Sequence, residues 1–496
     1  MQKARPRPNE SACGRAGESY VLTSAFRPIY VGQPVACPLI SAPPFANTMS
    51  ISLLAQSTQP TQATLSADHV LGPYIYVFYA AFIVSFIFTP VMRWVAVYYG
   101  IIDRPDATRK MHKSPVAYLG GVAIFLGWLA GITIACFAAL HYWDPAWGVV
   151  QRVHIPVSII IGSSIIVALG LWDDLKSVHP RVKILGQLVA GGALLVEKIG
   201  RGSTMPLLAP INLRLEHALG VTLPLWVYIF TGCCLTLAMV VFCCNAVNLM
   251  DGLDGLAGGV ISIIGMGFLF LVVYMAMIAG PTDVQGGGLR IVLALALLGA
   301  VMAFVPHNFN PASIFMGDTG SMFLGYASAI LIVMMAELDT RWLLAAMVMF
   351  ALPVLDTSLA FARRWVNRRP VFMADRMHFH HQLVMRGLTV RKTVIVSYIL
   401  SIAFVALGSA IIFMRTRYAV AIYLVVLGWI VVAAYKMGMV HEKPAVVSGP
   451  GGTAFGSDAA SATGPIDSSS VLEVRESEKR DLKTPPPPPQ PPGAAA

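Results

Sequence analysis

Charge is what this sequence has least of. Only 12% of its 496 residues are Asp, Glu, Lys or Arg, where a soluble domain carries about 25%. With 56% hydrophobic residues and a mean hydropathy of +0.69, the length is spent on membrane rather than on several soluble domains. The seven cysteines form no disulfide framework and no CxxC metal spacing. Cys233-Cys234 and Cys243-Cys244 fall inside one apolar run, where free cysteine packs as a small hydrophobe. A Walker A sequence, a dinucleotide-binding GxGxxG and an HExxH are all missing. Any nucleotide site must therefore be built from membrane loops.

What is present is a succession of apolar runs. Candidate spans lie at 74–99, 116–140, 154–172, 184–199, 224–244, 257–279, 289–306, 321–337, 341–362, 393–414 and 418–437, each read against a roughly 30 Å hydrocarbon core. This predicts an all-α polytopic membrane protein of about eleven transmembrane helices, the run at 184–199 being the shortest. Residues 1–70 are rich in Pro, Ser, Thr and Ala without periodicity, and 441–496 end in a polyproline stretch. Both are expected to be disordered extensions flanking a membrane domain at 74–440. Against a net charge of +10, basic residues cluster in loops around Arg109/Lys110, Lys176/Arg181/Lys183 and Arg363 to Arg376. Alternation puts those loops on one side, which the positive-inside rule makes cytoplasmic. An odd span count places the N-terminus outside and the C-terminus in the cytoplasm. In a membrane protein this basic balance points to anionic lipid or substrate, not to nucleic acid.

Four polar constellations fall on that cytoplasmic face. The central one is Asn245-Ala-Val-Asn248-Leu-Met-Asp251-Gly-Leu-Asp254-Gly. On a helix, Asn248 and Asp251 share a face about 60° apart, and Asp254 continues the three-residue step. Carboxylates this close repel unless a proton or cation lies between them. Asp173-Asp174 close an earlier span, followed by Lys176, Arg181 and Lys183. Phe315-Met-Gly317-Asp318-Thr-Gly320-Ser321 opens a later one, with glycines that allow close backbone approach to a ligand and a serine suited to cap the helix. The last is Asp375-Arg376-Met-His378-Phe-His380-His381.

Carboxylate oxygens are hard ligands that suit Mg²⁺, which takes one or two of them together with substrate phosphates. Lys183, Arg181 and Arg376 can neutralise phosphate, Asn248 adds neutral donors and acceptors, and Phe315 offers an aromatic face. The set points to phosphoryl transfer, in which catalysis is mostly positioning and charge neutralisation.

In order and in content, these motifs resemble the signatures of the polyprenyl-phosphate N-acetylhexosamine-1-phosphate transferases. The resemblance covers roughly residues 74 to 440 and includes Arg109-Lys110-Met-His112 and Gly120-Gly121. It implies transfer of a sugar 1-phosphate from a UDP-N-acetylhexosamine to undecaprenyl phosphate, in the bacterial inner membrane, with Mg²⁺ or Mn²⁺. By that resemblance Asp318 is a metal ligand, joined by Asp251, and Asp173 is the candidate base. Asp174, Asp251 and Asp254 support the catalytic site. Asn248 and Lys183 bind the nucleotide and diphosphate, Phe315 stacks on uracil, and Lys110, His112, His378, His380 and His381 complete substrate binding. Phe379 interrupts the histidines where the phospho-MurNAc-pentapeptide transferases carry three in a row. The chain is thus similar to the UDP-GlcNAc branch that initiates O-antigen, common-antigen or teichoic-acid linkage. The pentapeptide transferase remains the alternative. A secondary transporter is a third reading, disfavoured because no pair of halves repeats the motifs. A homodimer is left open.

Asp318→Ala is expected to abolish transfer while the protein still folds and inserts. Normal Mg²⁺-dependent turnover by that variant would sink the assignment.

Overall fold

The computed structural model describes residues 66–103, 116–141, 153–279, 284–366 and 378–436. Lys110, His112, Asp375, Arg376 and almost all of the two expected terminal extensions lie outside them. The expected boundary at residue 70 falls within a short helix, α1 (Ala67–Leu71), which a 3₁₀ turn joins to α2 (Ile75–Tyr98). Trp94, Tyr98 and Tyr99 stand exposed at the end of α2, as aromatic residues do at a membrane–water boundary. Next come the strands β1 (Ile102–Asp103) and β2 (Val116–Ala117), an antiparallel pair, then α3 (Gly120–His141), α4 (Val157–Leu175), α5 (Pro180–Val196) and α6 (Met205–Leu219). The chain continues through α7 (Leu225–Met250), α8 (Leu256–Ala279), α9 (Val284–Asn308) and α10 (Gly317–Ala336). It ends with α11 (Thr340–Met349), α12 (Ala351–Val366), α13 (Phe379–Met385), α14 (Val390–Ile411) and α15 (Thr416–Lys436).

Helix α10 is the axis. Every residue in it except Asp318 is buried, and it packs against α3, α4, α7, α8, α9 and α11. Small residues make this possible, because in a membrane close backbone approach replaces the hydrophobic drive. A side chain at Gly325 would run into the backbone of Cys243 and Cys244 on α7. Those two cysteines are buried as expected, whereas Cys234 is exposed.

Eight helices among the described residues are long and apolar enough to cross a membrane, or nine when α11 and α12, bent by 74°, count as one span. The expected eleven also includes α5 and α15. At 17 residues α5 is short, yet it runs the length of α10. Its Lys183 meets Asp318 at one end, the Tyr326 hydroxyl donates to the Ala190 carbonyl in the middle, and Gly200 beyond its other end donates to Glu337. Helix α15 is apolar between Arg417 and Lys436. The bend between α11 and α12 has a local cause: Pro353 sits in the first turn of α12, where it cannot donate back to the preceding turn.

Glu337 anchors the end of α10 remote from Asp318. Its carboxylate accepts the Gly200 amide at 2.7 Å and also the Gly202 amide. Glu337→Ala leaves both donors without that acceptor, and ~1–3 kcal/mol of stability should be lost. A clear drop in the thermal midpoint of detergent-solubilised protein, largely restored by Glu337→Gln, is the expected result; no drop would overturn it.

Candidate active site

Helix α7 ends at Met250, with Asn248 in its last turn and Asp251 just past it. The Asp251 amide still donates to the Val247 carbonyl at 3.1 Å, but the helix does not continue. Asp254 therefore does not extend the three-residue step: it lies in a turn that closes at Gly255, whose φ is +79°. The two carboxylates consequently part company. Asp254 Oδ2 accepts from Asn310 Nδ2 at 2.9 Å and from the Ala312 amide at 3.1 Å. Nearby, the Gly255 amide donates to Asn308 Oδ1 at 3.0 Å, and the Tyr398 hydroxyl donates to the Gly255 carbonyl at 2.6 Å. Asp254 thus ties the turn to the loop that leads into α10. The Asp251 carboxylate accepts no hydrogen bond from any described residue.

Around Asp318 the sequence-predicted residues converge. Lys183 lies between two carboxylates, 2.6 Å from Asp318 Oδ2 and 2.5 Å from Asp173 Oδ2. Asn248 Nδ2 donates to Asp318 Oδ1 at 2.9 Å and to the Ser321 hydroxyl at 3.0 Å. Asp173 Oδ1 accepts the Val178 amide at 2.7 Å. Neighbouring Asp174 does something different. Its Oδ1 accepts the Asp318 amide at 2.8 Å, and its Oδ2 accepts the Thr319 amide at 3.0 Å and the Thr319 hydroxyl at 2.6 Å. It caps α10 from α4, satisfying donors that a helix start leaves without intrahelical partners.

Two expectations change with this. Ser321 is not the cap, since it lies inside α10 and its hydroxyl donates to the Gly317 carbonyl at 2.9 Å. Gly317, at φ +67°, makes room for a carboxylate of the protein itself: a Cβ there would come within 2.5–2.8 Å of the Asp174 carboxylate.

Phe315 is brought to the same place by a small backbone frame. Its amide donates to the Ala117 carbonyl at 2.8 Å and its carbonyl accepts the Gly120 amide at 2.9 Å. The β1–β2 ribbon is thereby pinned to the segment leading to Asp318. The Phe315 ring meets Tyr118 edge to face at 6.1 Å. Tyr118 belongs to no sequence motif; its only signal is its place two residues before Gly120-Gly121. Burial, and then the charges of Asp174, Asp318 and Asp251, push its phenol up to about 12, so it stays a proton donor.

The histidine segment reaches the site through the backbone. His378 and His380 are buried, and the His380 imidazole packs on Gly252, directly after Asp251. His381 stacks obliquely on His380 at 4.3 Å between ring centres. The partner of both buried histidines is Asp356 of α12, with Nδ1 to carboxylate distances of 3.4 and 3.3 Å. Sequence reasoning passed over Asp356 because it sits alone in an apolar run.

Electrostatically the site is short of positive charge. Burial lowers Lys183, but Asp318 and Asp173 outweigh it and hold the amine above its ordinary value. Burial, reinforced by Asp318, Asp174 and Asp254, pushes Asp251 up to about 8. Among the described residues no three His, Cys, Asp or Glu side chains converge to enclose an ion. The donor set, all hard oxygen, suits a cation held by one or two carboxylates and completed by phosphate oxygens, which is the habit of Mg²⁺.

A carboxylate cluster around one clasped lysine, set at the end of a bundle of apolar helices, is the arrangement of an integral-membrane enzyme site. Residues 156–336 match the model of glycosyl transferase family 4. The probable undecaprenyl-phosphate N-acetylglucosaminyl 1-phosphate transferase of Bacillus subtilis is 32% identical over 373 residues, 73% of this chain and 93% of that protein. The decaprenyl-phosphate N-acetylglucosaminephosphotransferase of Mycobacterium tuberculosis is 32% identical over 71% of this chain and 85% of its own length. A phospho-N-acetylmuramoyl-pentapeptide-transferase of Desulforudis audaxviator is 31% identical over 66% of this chain and 95% of its own length. The chain belongs to glycosyl transferase family 4, among the polyprenyl-phosphate hexosamine-1-phosphate transferases.

The raised Asp251 has a measurable consequence. A carboxyl raised on folding costs stability when ionised, so the cost is absent below the ordinary carboxylate range near 4 and grows until pH passes about 8. In EDTA-treated protein, Asp251→Asn should raise the thermal midpoint at pH 8 and leave it unchanged near pH 4. Equal shifts at both pH values would overturn this.

Proposed function

We propose that the chain transfers N-acetylglucosamine 1-phosphate from UDP-N-acetylglucosamine to undecaprenyl phosphate, giving undecaprenyl diphosphate-N-acetylglucosamine and UMP. The reaction would be the first lipid-linked step of a cell-envelope polysaccharide such as O-antigen. The carrying observation is the clasp of Lys183 between Asp173 and Asp318, with Asn248 on the far oxygen and the Asp251 carboxylate open beside it. The names and coverage of the relatives support the donor and acceptor.

In this reading an oxygen of the lipid phosphate attacks the β-phosphorus of the donor. The new phosphorus–oxygen bond forms as the α–β phosphoanhydride breaks, and the electron pair leaves with UMP. The anomeric bond is untouched. Lys183 is poised to exchange a carboxylate for the donor diphosphate, and Asn248 to bond the same group. Phe315, held edge-on by Tyr118, would take the uracil on its face. Asp318 and Asp251 would hold Mg²⁺, or Mn²⁺ in its place, which would neutralise charge on the leaving UMP. Both oxygens of Asp173 are engaged, by Lys183 and by Val178. A phosphate monoester has a second pKa near 6, so the acceptor is largely dianionic at neutral pH. Asp173 then serves to hold the lysine more than to remove a proton.

The site end of the bundle carries Arg363 and Arg364 of α12 and Lys436 of α15. By the positive-inside rule that end faces the cytoplasm, in the inner membrane of a bacterium. The N-terminal end of α2 then lies outside and the chain leaves α15 in the cytoplasm.

The test is label transfer in detergent with undecaprenyl phosphate and Mg²⁺, offering UDP-GlcNAc, UDP-GalNAc and UDP-MurNAc-pentapeptide in parallel. Lipid-extractable label from UDP-GlcNAc alone, lost with EDTA, is expected. Label only from the pentapeptide donor would keep the chemistry and overturn the donor.

A further inference from the structure

A carboxylate within a membrane-crossing segment is costly and calls for a reason. Asp356 is such a group: it lies on α12, the second half of the bent span, one turn beyond Pro353. Its side chain is 3% exposed, against 7% for His378 and 2% for His380. One oxygen, Oδ1, accepts the Phe379 amide at 2.7 Å and faces His378 Nδ1 at 3.4 Å. The other, Oδ2, faces His380 Nδ1 at 3.3 Å. The two imidazoles lie nearly parallel, 7° apart, with centres separated by 5.7 Å. A single carboxylate thus bonds the start of α13 and stands within ion-pair distance of both buried imidazoles.

The far edge of His380 points at the site. Among the described residues its Nε2 is buried without a hydrogen-bond partner, as are His378 Nδ1 and Asp356 Oδ2, and a Cβ on Gly252 would collide with His380 Nε2. The cavity left between Asp356, His380, Met250, Leu256 and Ser397 holds about 10 Å³, room for one water at most. An imidazole whose Nδ1 faces a carboxylate carries its proton there, which sets the ring's orientation and what Nε2 presents to the turn.

We infer that Asp356 is a positioning residue: acting through His378 and His380, it holds the histidine segment as a wall against the Asp251–Gly255 turn and so places Asp251. The role rests on the transferase reading above. The test compares Asp356→Asn, His380→Gln and the double variant in the label-transfer assay, with His380 carbethoxylation by diethyl pyrocarbonate measured by peptide mass spectrometry. Asp356→Asn should lower kcat ~10–100-fold with KM for UDP-GlcNAc within ~3-fold. The double variant should lose much less than the product of the two single losses, because Asp356 and His380 act largely as one unit. His380 should be protected in the wild type and react at least ~10-fold faster in Asp356→Asn. Independent, multiplying losses in kcat, or unchanged protection, would overturn the inference. Should the wild type transfer no label, the transferase reading fails and the protection comparison alone decides the role of Asp356. If Asp356→Asn does not fold, Asp356→Glu takes its place: a carboxylate displaced by one methylene should lower kcat at unchanged KM, and wild-type kcat would overturn the inference.

Discussion

The start of α10 has nowhere to turn but to the protein. A helix buried at every residue but Asp318 has little water for its first amides, and leaving them without acceptors would cost several kcal/mol. Asp174 answers this by reaching across from the last turn of α4. There it lies at the wrong end of its own helix dipole and at the right end of α10's. Asp318 occupies the first turn of α10, so the group that makes the buried helix possible also sets the position of the carboxylate at the centre of the site. Gly317 lies opposite Asp174, and just before that cap Phe315 bonds to Ala117 and Gly120.

The rest of the site is a problem in charge. Asp173, Asp174, Asp251, Asp254 and Asp318 share it with Lys183, and they are not equivalent. Asp174 and Asp254 spend their oxygens on backbone amides and on Asn310 or Thr319, which binds the loops together. Asp173 and Asp318 share the lysine. Asp251 alone has no donor among the described residues, and its carboxyl is raised accordingly. Hard carboxylate oxygens arranged this way suit a cation that also takes phosphate oxygens.

Much of this was legible in the chain. Apolar runs of about twenty residues mark the helices, and alternation along them brings Asp173, Lys183, Asn248, Asp251 and Asp318 to one end. What could not be read depends on contacts between distant segments. Asp251 and Asp254 look alike in sequence; only the returning loop at 309–316 separates their roles. The break in α7 after Met250 is invisible to a helical step that counts on past Asp251. A two-residue ribbon has no period to detect. Asp356 and Tyr118 carry no motif, and their partners lie 22 or more residues away along the chain for the first and 197 for the second. The short apolar run at α5 shows its extent only from Asp318 and Glu337 at the two ends of α10.

The burial of α10 also bears on how such a chain can be made. Of the described helices packed most extensively around it, α3, α4, α7, α8 and α9 precede it in the sequence, as does α5 beside it, and α11 follows. A ribosome releasing this chain from its N-terminus would deliver the axis after most of its sheath. The glycines and serines of α10, poor at facing lipid, would then meet protein as they arrive.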